Sequence, residues 1–138
     1  MYLSREKEAE LILKDSERVL QFLCEDLLIP KKNIVIMGRS IGSGPAIDLA
    51  SKHEIANLIV ISPFISIKEA TNDLLGMVGN LARLLVKDRF QNLEKINKVK
   101  SPVLFIHGQT DSVVPYSHSQ KLFGNRLVTQ MPVNHTLS

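Results

Sequence analysis

The chain has 138 residues, 44% of them hydrophobic and 22% charged, which is the size and composition of one globular domain or part of one. Such a chain buries about two thirds of the surface its unfolded form exposes, so disordered, collagen-like and disulfide-framework classes are excluded. A formal charge of +3, with five Phe, two Tyr and no Trp, is too little for a nucleic-acid surface.

The single Cys24 supports neither a disulfide framework nor a cysteine zinc site. No apolar run reaches the roughly 18–20 residues a membrane span needs. The segment from Met1 to Lys14 is charged where a secretion signal is apolar. Cytoplasm is the expected compartment.

In chain order, residues 5–28 place Ile12, Val19, Leu20, Leu23 and Leu27 at helical spacing, with polar residues between them, which predicts a helix with these residues on one buried face, and Pro30 ends the pattern. Ile34 to Met37 is a short apolar run that stops at Gly38, which predicts a buried strand. Helical spacing returns from Ile41 to Ser51. Asn57 to Ile61 is a second apolar, mostly β-branched run, ending at Ser62-Pro63. Residues 65–98 are mixed and mostly helical in pattern. Ser101-Pro102 then opens a third strand, Val103 to Ile106, closed by His107-Gly108. Tyr116 to Phe123 reads as a short helix capped by Gly124 or Asn125, and Leu127-Val128 centres a weak fourth strand. Continuous apolar strands alternating with helices predict an α/β fold: a mostly parallel sheet of about four strands, flanked by helices on both faces. Sites in such folds lie beyond the carboxyl ends of the strands.

Gly38-Arg39-Ser40-Ile41-Gly42 lies between a predicted strand and a predicted helix. In that context GxSxG is a nucleophile elbow. The sharp turn strains the serine backbone and calls for small residues two before and two after it, here Gly38 and Gly42. It also sets the Ile41 N–H at a helix start, where it can donate to a developing oxyanion. A dinucleotide or phosphate loop is the competing reading for Gly38, Gly42 and Gly44. It requires glycine where Ser40 stands, or a Gly-Lys-Ser/Thr ending that is absent.

An activated serine needs a histidine to take its proton and a carboxylate to hold that histidine. The order in this arrangement is Ser, then Asp or Glu, then His. Asp111 follows the third strand through a glycine-containing turn and is the candidate acid; an ordinary turn or cap aspartate is the alternative. Of four histidines, His53 precedes the acid, His107 ends a strand just before it, and His118 falls in the next helix; these are expected to be structural or solvated. His135 follows the last predicted strand and is the candidate base. No cofactor and no metal is expected.

GRSIGSGPA at 38–46, SPF at 62–64, SPVLFIHGQTDSVVPYSHSQKL at 101–122 and NHT at 134–136 together resemble the α/β-hydrolase-domain serine hydrolases. That family includes protein depalmitoylases and is often grouped with serine aminopeptidase-like domains. The resemblance runs from about residue 10 to the end. It implies Ser40 as nucleophile, Asp111 as acid, His135 as base and the Ile41 amide as one oxyanion donor. The implied substrate is an acyl ester or thioester, including an acylated protein, and a serine peptidase-like activity is the neighbouring alternative.

Family members carry earlier strands and a His-Gly loop that supplies a second oxyanion donor, and they have a closing helix after the catalytic His. Residues 1–138 are therefore expected to form a partial domain, the C-terminal half of an α/β-hydrolase fold. Losing one oxyanion donor costs on the order of 10²-fold in rate, so a catalytically inactive fragment or an interaction module is the rival expectation. Residues 63–100 read as a lid-like or connecting helical region. Within it, Arg83, Lys87, Arg89, Lys95, Lys98 and Lys100 face only Asp88 and Glu94, with Leu84, Leu85, Val86, Phe90, Leu93 and Ile96 interleaved. That mixture permits peripheral membrane contact through 83–100. The oligomeric state is left open.

Overall fold

In the computed structural model, residues 5–70 and 90–126 are described. Helix α1 (Arg5–Gln21) continues into a π-turn, Phe22–Asp26, and ends where Leu28 takes a positive φ of 54° ahead of Pro30. A 3₁₀ turn, Lys31–Asn33, leads into β1 (Val35–Arg39). A second 3₁₀ turn, Ser40–Gly42, then runs directly into α2 (Ser43–Lys52). Next come β2 (Asn57–Ile61), the one-turn helix α3 (Asn92–Lys95) with a 3₁₀ turn at Ile96–Lys98, β3 (Val103–Ile106) and α4 (Ser117–Gly124). The weak fourth strand expected around Leu127-Val128 lies outside the described residues.

The three strands form a parallel sheet in the order β1-β2-β3, with Arg39 opposite Ile61 and Ile61 opposite Ile106. All three strand ends, and the loops that follow them, therefore come out on one edge of the sheet. Side chains alternate across a strand, so Leu58 and Val60 point to one face and are fully buried. There they meet Ala46, Ile47 and Ala50 of α2, Ile96 and Leu122, with Ile36, Val103 and Phe105 packed alongside. Full burial of Ile47, Leu58, Ile96 or Leu122 contributes about 1.5–3 kcal/mol each.

The sheet is flanked by helices, as the alternating pattern predicts, and among the described residues that cover lies on one face. On the other face Val35, Met37, Leu104 and Ile106 are 51%, 66%, 46% and 39% exposed. Helix α1 buries Leu20, and it packs Ala9 and Leu13 against the Phe64, Phe90 and Val114 cluster, while Ile12, Val19 and Leu27 are exposed. The helix carries apolar residues on more than one stripe, and periodicity alone does not say which stripe meets α2 and the second cluster.

Of the region read as lid-like or connecting, residues 63–70 and 90–100 are described. Phe90 and Ile96 are buried and Leu93 packs on the core. Residues 83–89 lie outside the described residues. Among the described residues no helix is long and apolar enough to cross a membrane.

Candidate active site at the strand ends

Ser40 begins the turn between β1 and α2 with φ of 48°, in the left-handed region. A residue with a β-carbon holds that conformation at a cost of about 1–2 kcal/mol, and such strain concentrates at functional sites. Close packing enforces the turn. A Cβ on Gly38 would lie 2.5 Å from the Gly42 carbonyl oxygen and 2.6 Å from Ala46 Cβ, so β1 and α2 approach closely only because Gly38 has no side chain. Ser43, fully buried, donates its hydroxyl to the Ser40 carbonyl at 2.7 Å and ties the turn down from the other side.

Gly42 departs from the expectation. Its backbone is right-handed, with φ of −68°, and a Cβ there would meet nothing within 4 Å. What Gly42 contributes to the close approach is its carbonyl. Gly44 is the second glycine that sterics require: a Cβ there would sit 2.6 Å from the Phe90 ring, which is wedged between α2 and Phe64 in an edge-on aromatic contact. Ser40 and Ile41 are both exposed. The Ile41 N–H lies in the opening turn of the helical segment, where backbone donors have no acceptor within the helix.

Asp111 sits in the loop after β3 with its carboxylate bound on both oxygens. Oδ1 accepts the backbone N–H groups of Val113 and Val114 at 2.9 and 3.0 Å, and Oδ2 accepts the Ser62 hydroxyl at 2.9 Å. The Val114 N–H does most to hold this carboxyl below the ordinary carboxylate range. Partial burial opposes it, and the Val113 N–H and the Ser62 hydroxyl add to it. Asp111 is thus ionised and oriented at neutral pH. It does not cap α4, which begins six residues later at Ser117.

Three of the four histidines lie among the described residues. His53 bridges Glu17 through Nε2 and Lys31 through Nδ1, linking α1 to the end of α2. Buried His118 accepts the Ile65 N–H on Nδ1 at 3.0 Å. His107 donates Nε2–H to the Val114 carbonyl at 2.7 Å, which leaves Nδ1 to accept the Ser119 hydroxyl at 2.6 Å. Its Nε2 lies 3.6 Å from Asp111 Oδ2, but its proton is committed to Val114, so His107 braces the acid's loop. His135 lies outside the described residues.

Sequence reasoning missed Ser62. It follows β2 as Ser40 follows β1, has φ of 45°, and its N–H is fixed to the Ile106 carbonyl at 2.8 Å. The available signal was its place, a serine at the carboxyl end of the strand next to the elbow. The buried ion cluster at Asp48, whose carboxylate binds Lys52 and Lys95 at 2.6 Å each, was also unforeseen.

A strained serine at a strand-to-helix turn, with a carboxylate held two strands away on the same edge of a parallel sheet, is an arrangement similar to that of α/β-hydrolase sites. No protein-family model matches the chain. It is 38% identical over 95 residues to alpha/beta hydrolase domain-containing protein 17B of Homo sapiens, a match covering 69% of this chain and 31% of that protein. It is also 38% identical over 95 residues to protein 17C of Mus musculus, covering 69% of this chain and 28% of that one. The chain therefore spans about three tenths of the length of the curated relatives it matches.

Among solved structures, the esterase domain of a Rhodothermus marinus protein superposes with a TM-score of 0.61 at 17% identity, over 83% of this chain and 52% of that one. A monoacylglycerol lipase of Paleococcus ferrophilus gives 0.57 at 18% identity, over 85% and 62%. The chain thus has the α/β-hydrolase fold. Over the matched 95 residues it is similar to the α/β-hydrolase-domain proteins.

Proposed function

We propose that this chain supplies the reacting groups of a serine hydrolase that cleaves acyl esters or thioesters through an acyl-Ser40 intermediate. His135 takes the Ser40 hydroxyl proton as the Ser40 oxygen attacks the acyl carbonyl, and the oxyanion that forms is held by the Ile41 N–H. The collapsing intermediate expels the alcohol or thiol, which takes the proton from His135. Water then attacks the acyl-serine by the same route, releasing the carboxylic acid and restoring Ser40. Asp111 fixes the imidazole and stabilises its charge.

The observation that carries this reading is the left-handed Ser40 turn at the end of β1, on the same sheet edge as an Asp111 carboxylate already held by three donors. The kinship with alpha/beta hydrolase domain-containing proteins supports a hydrolase, and an acylated-protein thioester is the substrate the sequence resemblance favours. The substrate side is expected at the strand ends. Of the basic stretch proposed for membrane contact, Lys95 is occupied by Asp48, which leaves Lys98 and Lys100 exposed among the described residues.

Labelling of the folded protein by a fluorophosphonate, compared with Ser40→Ala, tests the reading. Labelling that Ser40→Ala abolishes is the expected result. A folded protein, checked by near-UV circular dichroism, that takes no label would overturn it. A non-catalytic interaction module is the second reading, favoured by the exposed apolar side chains Val35, Met37 and Leu104 on the open sheet face. In that case label fails and the folded chain instead self-associates or captures a partner.

A further inference from the structure

We propose that Ser62 is a positioning residue for the acid of this site: its hydroxyl, donating to Asp111 Oδ2 at 2.9 Å, turns the carboxylate so that the remaining lone pair of that oxygen serves the imidazole N–H. The inference deepens the reading of Ser40, Asp111 and His135 and rests on it.

The geometry singles out Oδ2. Oδ1 is filled by the Val113 and Val114 N–H groups, so Oδ2 is the oxygen left to meet a third partner. Among the described residues two side chains approach Oδ2. His107 stands 3.6 Å away with its Nε2 proton given to Val114, whereas the Ser62 hydroxyl makes a full hydrogen bond. Two backbone donors on Oδ1 leave the carboxylate free to tilt about them, and a donor on Oδ2 from a different strand stops that tilt.

Ser62 is placed to do this from the middle of the sheet edge. Its strand, β2, lies between the strand that ends at Ser40 and the strand that carries Asp111. Its N–H is anchored to Ile106, the last residue of β3, at 2.8 Å. Its left-handed backbone, immediately before a buried Pro63, is costly, and the Asp111 contact accounts for why a hydroxyl is held there. The same donor favours the charged carboxylate, which keeps the proton on the imidazole when the transition state forms. Among the described residues the titratable group facing Asp111 is His107, directly after β3.

The test uses the whole chain, with hydrolysis of a p-nitrophenyl acyl ester as the assay. Ser62→Ala removes the hydroxyl, and Ser62→Gly removes it while suiting the left-handed backbone, so at least one hydroxyl-free variant folds. Ser62→Asn tolerates that backbone and restores a donor. The expected result is a loss of about ten- to a hundredfold in kcat with KM unchanged for Ala and Gly, and partial recovery for Asn. In parallel, carbon-13 titration of the Asp111 carboxyl moves up toward the ordinary range in Ala and Gly. A folded Ser62→Gly with full kcat and an unmoved Asp111 titration overturns the proposal while the parent enzyme still reacts. If the parent protein takes no fluorophosphonate label at Ser40, the underlying reading fails, and the proposal fails with it before any Ser62 variant is compared.

Discussion

Ser40 and Ser62 end neighbouring parallel strands in register, just beyond the partners Arg39 and Ile61, and share a left-handed backbone with φ of 48° and 45°. Two strained serines side by side make a sheet edge whose geometry is maintained against local preference. At Ser40 the strain is separable from the chemistry. Ser40→Ala and Ser40→Gly both remove the nucleophile, but only glycine relieves the left-handed turn, worth about 1–2 kcal/mol against a glycine entropy cost of about 0.5–1 kcal/mol. Thermal or urea unfolding is expected to show Ser40→Gly more stable than Ser40→Ala by about 0.5–1 kcal/mol. Equal stability would mean that the strain stored in the turn does not exceed the entropy cost of glycine.

The two elbow glycines are expected to behave differently. Gly38→Ala drives a methyl group to 2.5 Å from the Gly42 carbonyl and 2.6 Å from Ala46, contacts that only movement of β1 or α2 relieves. Overpacking of this kind costs about 1–3 kcal/mol, and the variant is expected to unfold at lower urea and to lose reactivity at Ser40. Gly42→Ala enters open space at a right-handed φ and should be neutral or slightly stabilising. Denaturant midpoints for the pair check this, and a Gly42→Ala as damaging as Gly38→Ala would refute it.

The strands and the elbow are legible in the sequence because they depend on short-range rules. Asn57–Ile61 and Val103–Ile106 are observed at the expected residues, since β-branched runs bounded by turn residues leave little choice. Gly38 is readable because a backbone approach demands it. Gly42 is not, because the same motif letter stands where no steric limit applies. The buried stripe of α1 is hidden because Ala9 and Leu13 owe their burial to Phe64 and Phe90, more than fifty residues further along the chain. Ser62 and Asp48 are hidden for the same reason: their partners, Asp111 and Lys95, lie 49 and 47 residues away, and no periodicity announces a long-range hydrogen bond.

His107 is expected to act on the acid through the loop it braces. Its side chain is 1% exposed and joins the Val114 carbonyl to the Ser119 hydroxyl. His107→Leu keeps the bulk and leaves both groups without their partner, at about 1–3 kcal/mol. The Val113 and Val114 amides, which Asp111 accepts, should then exchange with deuterium faster than amides of β2, whose hydrogen bonds do not involve this loop. Unchanged protection at 113 and 114 would show that the loop holds itself without the imidazole.

Asp48 is the buried charge on which the packing of α2 against α3 depends. Its side chain is 4% exposed, and it receives Lys52 from its own helix and Lys95 from α3. Burial alone would raise this carboxyl, but hydrogen bonds and charges from the two lysines outweigh it and hold it below the ordinary range. A depressed folded value means that the stabilisation is present above the unfolded carboxylate pKa of about 3.9 and disappears as pH falls from there through the folded value. Asp111 contributes in the same direction. Asp48→Asn should cost about 2–3 kcal/mol at neutral pH, because Lys95 keeps its partly buried place without a counter-charge. Lys95→Met should cost less, since Lys52 still pairs with Asp48. Urea unfolding at neutral pH and at about pH 3 should show the gap between the parent protein and Asp48→Asn narrowing in acid. A gap that stays constant would mean that the carboxylate contributes no more in its charged form than the amide does.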